Sequence, residues 1–199
     1  MRRRALDTLL TAGGLVVAIV LLVAGSLLMW GHNFANSNVH SQLAQQQITF
    51  PALGSKALAS PEIGPFLNQY AGQQLTTGPQ AKAYAEHFIA VHLSEMPFGG
   101  VYSKVSAAAQ AAPAGSAQAT QLKAVQTTVF QGTTLRGLLL EAYAFWEIGQ
   151  IALIASIASF VLAGVTLLLS GLGFWHLRRV SPQEEFPPVK AKVGRPVVA

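Results

Sequence analysis

From position 151 to 172 the chain carries no charged side chain for 22 residues, and its polar groups there are Ser156, Ser159, Thr166 and Ser170. A helix needs about 20 predominantly apolar residues to cross the hydrocarbon core of a bilayer. Lipid gives the backbone no hydrogen-bond partner, so a lipid-exposed segment of this kind crosses as a helix. The same constraint acts near the N-terminus, where residues 9–30, LLTAGGLVVAIVLLVAGSLLMW, are also free of charge. These two blocks explain why the chain is 51% hydrophobic and 11% charged, against about 25% charged in an ordinary soluble domain. The first block reads as a retained anchor. A secretory signal has an apolar core of about 7 to 15 residues and a small-x-small cleavage site, whereas here the core is longer and Ala35, with Asn33 two positions before it, is a poor site.

The net charge of +5 sits entirely at the two ends. Arg2, Arg3, Arg4, Arg178, Arg179, Lys190, Lys192 and Arg195 outweigh Asp7, Glu184 and Glu185, while residues 31–148 balance five cations with five carboxylates. Lys and Arg near the ends of a span are retained on the cytoplasmic side, so both termini are expected inside and the middle outside. No basic cluster with interleaved aromatics marks the central segment, which excludes nucleic acid as a partner. The absence of cysteine excludes disulfides, thiolate nucleophiles and Cys-based metal sites.

The expected fold is an all-α membrane protein, with two transmembrane helices extended outward into a small helical extracytoplasmic domain. Residues 1–8 form a cytoplasmic basic head, 9–30 the first span, 31–148 the outer domain, 149–175 the second span and 176–199 a disordered, proline-rich cytoplasmic tail. Phe34, Ala35, Val39 and Leu43 make one narrow helical stripe, so the first helix is expected to run outward until Phe50-Pro51 and Gly54 break it. Residues 51–79 read as loops around a short helix at 61–70. A helix follows Pro79 with Ala81, Tyr84, Ala85, Phe88, Val91 and His92 inward, and another spans 101–112. The long helix from Gln118 places Leu122, Val125, Val129, Gly132, Arg136, Leu139, Tyr143 and Trp146 at alternating three- and four-residue steps. That is a packing seam, expected to face the extended first helix in an antiparallel stalk. Trp30, Tyr143, Phe145, Trp146 and Trp175 are placed for membrane interfaces.

Three residues stand out as binding candidates: Arg136, Glu86 and His87. Arg136 interrupts an apolar seam, where a buried guanidinium needs a carboxylate such as Glu62, Glu86 or Glu95, while an unburied one reaches solvent. Glu86, His87, His92 and Glu95 share one helix, but His87 and His92 are five apart and diverge by about 140° on an α-helix. No metal or catalytic set assembles. GxSxG, SxxK and HExxH motifs are missing, and residues 31–148 contain no Asp to complete a Ser-His-Asp triad. Neither span holds an ionisable residue, which argues against a proton relay. Gly14-x-x-x-Ala18 and Ala155-x-x-x-Ser159-x-x-x-Ala163 permit close helix contact, either between the two spans or with a partner helix.

Taken together, VHSQLAQQQITFP, FLNQYAGQQLTTGPQAKAYAEHFIAVHL, TLRGLLLEAYAFW and GFWHLRRV resemble an uncharacterised family of actinobacterial two-span membrane proteins. Some of its members carry an automated label of aromatic ring-opening dioxygenase, which would require a two-His, one-carboxylate iron site that these residues do not supply. The resemblance implies a two-span envelope protein and transfers no catalytic or binding residue. The expected role is a non-enzymatic membrane protein of the envelope, an accessory or interaction subunit that needs no cofactor and has the lipid bilayer and a membrane protein as partners. The alternative is an extracytoplasmic ligand-binding or sensing module without its own output domain.

Overall fold

No proline interrupts the chain from Arg3 to Gln45 or from Ala117 to Arg179, and both intervals are single α-helices. We call them α1 (Arg3–Gln45) and α6 (Ala117–Arg179). In the computed structural model, which describes residues 3–179, both helices are long and apolar enough to cross a membrane. Between them lie α2 (Gly64–Leu67), α3 (Gly78–Ala83), a π-helical turn (Tyr84–Ile89), α4 (Ala90–Ser94) and α5 (Tyr102–Ala111), with two short 3-10 turns at Lys56–Leu58 and Asn68–Tyr70 and a third, left-handed in part, at Pro97–Gly100. The described residues contain no β-strand; one isolated antiparallel bridge pairs Thr49 with Gln74. Expectations for the first two residues and for the tail beyond Arg179 fall outside the described residues. Within 176–179 the expected disorder is corrected: α6 continues to Arg179, where Arg178 and Arg179 suit the negative end of the helix dipole and the Arg179 guanidinium stacks 4.1 Å from the Trp175 ring.

The chain divides into two compact units. The first joins the part of α1 up to Leu28 to the part of α6 from Ile154 on. Its helices run antiparallel and meet through small side chains. Thr11, Ala18 and Gly25 on α1, and Ser156, Ala163 and Ser170 on α6, are buried at seven-residue intervals. A repeat of seven returns to nearly the same helix face, the geometry of coiled-coil packing. Gly14 abuts the Ser170 hydroxyl, Gly173 abuts Thr11, and a Cβ added to Gly25 would lie 3.0 Å from the Phe160 ring. That closeness lets the Ser156 hydroxyl donate across to the Gly25 carbonyl at 2.7 Å, fully buried. Gly14, Ala18 and Ala163 thus serve the contact within the chain.

The second unit, Met29–Leu153, has a core of Val39, Leu43, Phe50, Leu58, Ile63, Leu67, Leu75, Ala81, Ala85, Ile89 and Leu139. Ala35, Val39 and Leu43 form the buried stripe of α1, whereas Phe34, one residue off that stripe, is exposed and stacks on Trp30. α1 stops at Gln45, before Phe50-Pro51, because Gln47 turns left-handed (φ 54°) and the following residues extend. There Phe50 N–H donates to the Gln73 carbonyl and Leu75 N–H to the Ile48 carbonyl, at 2.9 and 2.8 Å. Phe50 is thereby turned into the core. None of the eight predicted seam residues of α6 is exposed. The seam has two partners, however. Near Leu139 and Gly149 it faces α1, with His32 Nδ1 2.9 Å from the Gly149 carbonyl oxygen. Farther up, Gly132 abuts Leu93, and the Gln126 amide donates to Tyr102 and Ser106 on α5.

Helix α3 starts at a capping box that the sequence carries as Thr77-x-x-Gln80. The Thr77 hydroxyl accepts from Gln80 N–H, and the Gln80 side chain accepts from the backbone N–H groups of Thr76 and Thr77. Gln80 is buried, and its amide N–H₂ is satisfied by Gln73 Oε1 at 3.1 Å. Gly78 lies so close to Trp146 that a Cβ would overlap the ring's attachment point. Trp146 therefore packs into this domain, half-buried. Replacing Thr77 by Ala is expected to cost about 1 kcal/mol through the lost cap, and Gly78→Ala about 1–3 kcal/mol through overpacking on Trp146. Thermal unfolding of both variants in detergent checks the order, with Gly78→Ala at least as damaging.

Candidate functional site

The three candidate residues occupy different surroundings. Arg136 lies on α6, half-buried, and its Nε is enclosed without a hydrogen-bond partner. Among the described residues no hydrogen bond or ion pair joins it to Glu62, Glu86 or Glu95. The apolar stem packs along the seam while the side chain keeps part of its surface in solvent, as long cationic side chains do. Glu86 and His87 sit on the π-helical turn, both half-buried. His87 stacks flat on Phe66 of α2, with ring centroids 3.6 Å apart and planes 2° apart. Four clefts of this domain are lined by other residues.

The π-helical turn also alters the expected geometry around His87 and His92. Hydrogen bonds across five residues replace those across four, so angles counted on an α-helix do not hold through Tyr84–Ile89. Ile89, absent from the expected inward face, is buried beside Ala81 and Ala85, while His92 is exposed. His92 Nδ1 lies 2.7 Å from the Phe88 carbonyl oxygen. No group of three His, Cys, Asp or Glu that could hold a metal occurs among the described residues.

Aromatic packing organises this region instead. Phe50 touches both Tyr70 and Tyr84, each at 5.3 Å between ring centroids, and Tyr84, Phe88 and His92 follow one another along the helix. Burial pushes the Tyr84 hydroxyl above its ordinary pKa, because the phenolate would lose water. The Lys82 ammonium lies 4.7 Å from the Tyr143 ring centroid, a cation–π contact that draws a predicted interfacial aromatic into the domain. Helical spacing placed Tyr84, Phe88 and His92 on one face, but the contacts of Phe50 and Tyr70 and the Lys82–Tyr143 pair were not legible from periodicity.

One cleft of the domain, about 490 Å³, lies between Gln42 of α1 with Gln46 just past its end and Glu141 and Phe145 of α6. A second, about 260 Å³, lies between the π-helical turn and α6. No known family, curated protein or solved structure matches the chain. Function is therefore read from residues and geometry.

Because Arg136 has no carboxylate partner, replacing it with Met leaves no charge stranded. Arg136→Met is expected to change stability by less than about 1 kcal/mol. A loss of about 3–5 kcal/mol in thermal unfolding would instead reveal a broken buried ion pair.

Proposed function

We propose that the chain is a non-enzymatic integral membrane protein of the cell envelope, spanning the membrane twice. Both termini lie in the cytoplasm, and the domain of residues 31–148 lies outside as an accessory or interaction subunit. One observation carries this reading. In the first unit the small residues face inward and the large apolar ones face outward: Leu9 and Leu10 on α1, and Ile154, Leu168 and Leu169 on α6, are each more than 60% exposed. Contiguous apolar surface beyond a few hundred Å² is rare on a soluble monomer and marks a membrane or protein interface. A lipid bilayer covers such a surface on all sides. The arginines flanking both apolar blocks set the orientation.

The interaction role of the outer domain is supported by its own exposed aromatics. Phe98, Tyr102 and Phe130 are exposed, and Tyr102 contacts Phe130 at 5.9 Å. Phe98 adopts a left-handed backbone (φ 60°), which is costly for a bulky residue, and is presented outward. Its polar side chains largely serve structure: Gln80 and Thr77 cap α3, and Ser116 caps α6 by accepting from Ala119 N–H. Such groups favour contact over chemistry. The alternative, an extracytoplasmic ligand-binding or sensing module, is favoured by the aromatic cleft beside the π-helical turn.

The cysteine-free chain allows a direct topological test. Ala114 lies in the exposed turn between α5 and α6, and Ser181 follows the second apolar block. A membrane-impermeant maleimide is expected to label Ala114→Cys in intact cells and to spare Ser181→Cys until the membrane is permeabilised. The reverse pattern would overturn the orientation, and labelling of both in intact cells would overturn the two-span reading.

A further inference from the structure

We propose that the cleft between the π-helical turn and α6 binds a small planar aromatic molecule bearing a hydroxyl group, of the phenol class. One wall is aromatic. Tyr84, Phe88 and His92 stand at successive turns with ring centroids 4.7 and 4.4 Å apart, and Phe50 supports the row edge-on behind Tyr84. The opposite wall lacks a side chain at its centre, because α6 presents Gly132 between Thr128 and Leu135. A Cβ at that glycine would meet the Leu93 side chain at 2.9 Å. Leu93 packs into the place of that missing side chain, and the space left between the two walls is about 260 Å³, room for a single substituted ring and below the roughly 300–1,000 Å³ typical of drug-sized sites. Ring faces and edges attract a further aromatic ring beyond what buried area alone provides.

The polar groups of the cleft specify the hydroxyl. A carbonyl oxygen accepts hydrogen bonds, so His92 Nδ1, held to the Phe88 carbonyl at 2.7 Å, carries the proton of the neutral ring. Nε2 is then an acceptor, which suits an O–H donor. Tyr84 lines the same cleft, and among the described residues its hydroxyl has no protein hydrogen-bond partner. A tyrosine hydroxyl is protonated at neutral pH and able to donate, and burial pushes its pKa further up. The Thr128 hydroxyl already donates to the Ala124 carbonyl at 3.1 Å, which leaves it an acceptor only. Met96 at the edge is a flexible, polarisable side chain that adapts to a bound ring. The π-helical turn supplies Tyr84, Phe88 and Ile89, and such turns are rare in proteins and recur at functional sites.

This inference rests on the second unit alone and stands or falls independently of the membrane reading. Saturation-transfer difference NMR on the full chain in dodecyl maltoside, with p-cresol as probe and empty micelles as blank, tests it. Saturable binding of p-cresol is expected, with 4-methylcyclohexanol, its saturated counterpart, about tenfold weaker for want of ring stacking. Tyr84→Phe, which removes one hydrogen-bonding group, is expected to weaken p-cresol about three- to tenfold. Thr128→Phe fills the cleft from an exposed position and is expected to abolish binding while circular dichroism stays unchanged. No saturable signal above the blank, equal binding of the saturated ring, or full binding in a folded Thr128→Phe variant would overturn the proposal.

Discussion

The close approach of two antiparallel backbones in the first unit depends on having almost nothing between them. Thr11, Gly14, Ala18 and Gly25 meet Ser156, Ala163, Ser170 and Gly173, and the Ser156 hydroxyl reaches the Gly25 carbonyl. In lipid the hydrophobic effect gives no drive for helices to associate, and packing of small residues with interhelical hydrogen bonds takes its place. On the proposed membrane reading this contact fixes which faces of α1 and α6 remain for lipid. A bulky side chain at Gly25 would meet the Phe160 ring and separate the pair.

The second unit is held by the opposite means. Its core is made of Leu43, Phe50, Leu67, Leu75 and Leu139, each almost wholly buried, and each such side chain is worth about 1.5–3 kcal/mol of burial. The irregular segment after α1 reaches that core because its backbone finds partners: Ile48 and Phe50 pair with Gln73 and Leu75, and the Gln74 amide donates to the Ala44 carbonyl at the end of α1. The Thr77 capping box then starts α3 where Gly78 can lie against Trp146. These contacts place the π-helical turn beside α6, and the aromatic cleft follows from that placement.

Helix was legible in the sequence wherever spacing was regular and proline absent: the two long helices, the helix after Pro79 and the one at 101–112 all appear close to their expected limits. The eight seam residues of α6 were legible for the same reason. Three features were not. The seven-residue spacing of Thr11, Ala18 and Gly25 was hidden because nearly every neighbour in that block is apolar, so periodicity has little contrast. The end of α1 was placed at Phe50-Pro51, since the left-handed turn at Gln47 is a tertiary choice that a glutamine does not announce. The π-helical turn shifted Ile89 inward against α-helical counting. Of the candidate site, Arg136, Glu86 and His87 were singled out by charge, but charge does not predict partners, and His87 found a phenylalanine.

The central claim is that lipid covers the outward apolar faces of the first unit. Site-directed spin labelling in phospholipid vesicles tests it directly, using a nitroxide at Val17 and, separately, at Leu168, both exposed on that surface. Collisions with oxygen, which concentrates in the bilayer, are expected to exceed collisions with a water-soluble nickel chelate at both positions. Relaxation dominated by the nickel chelate at either position would place that face in water and contradict the account.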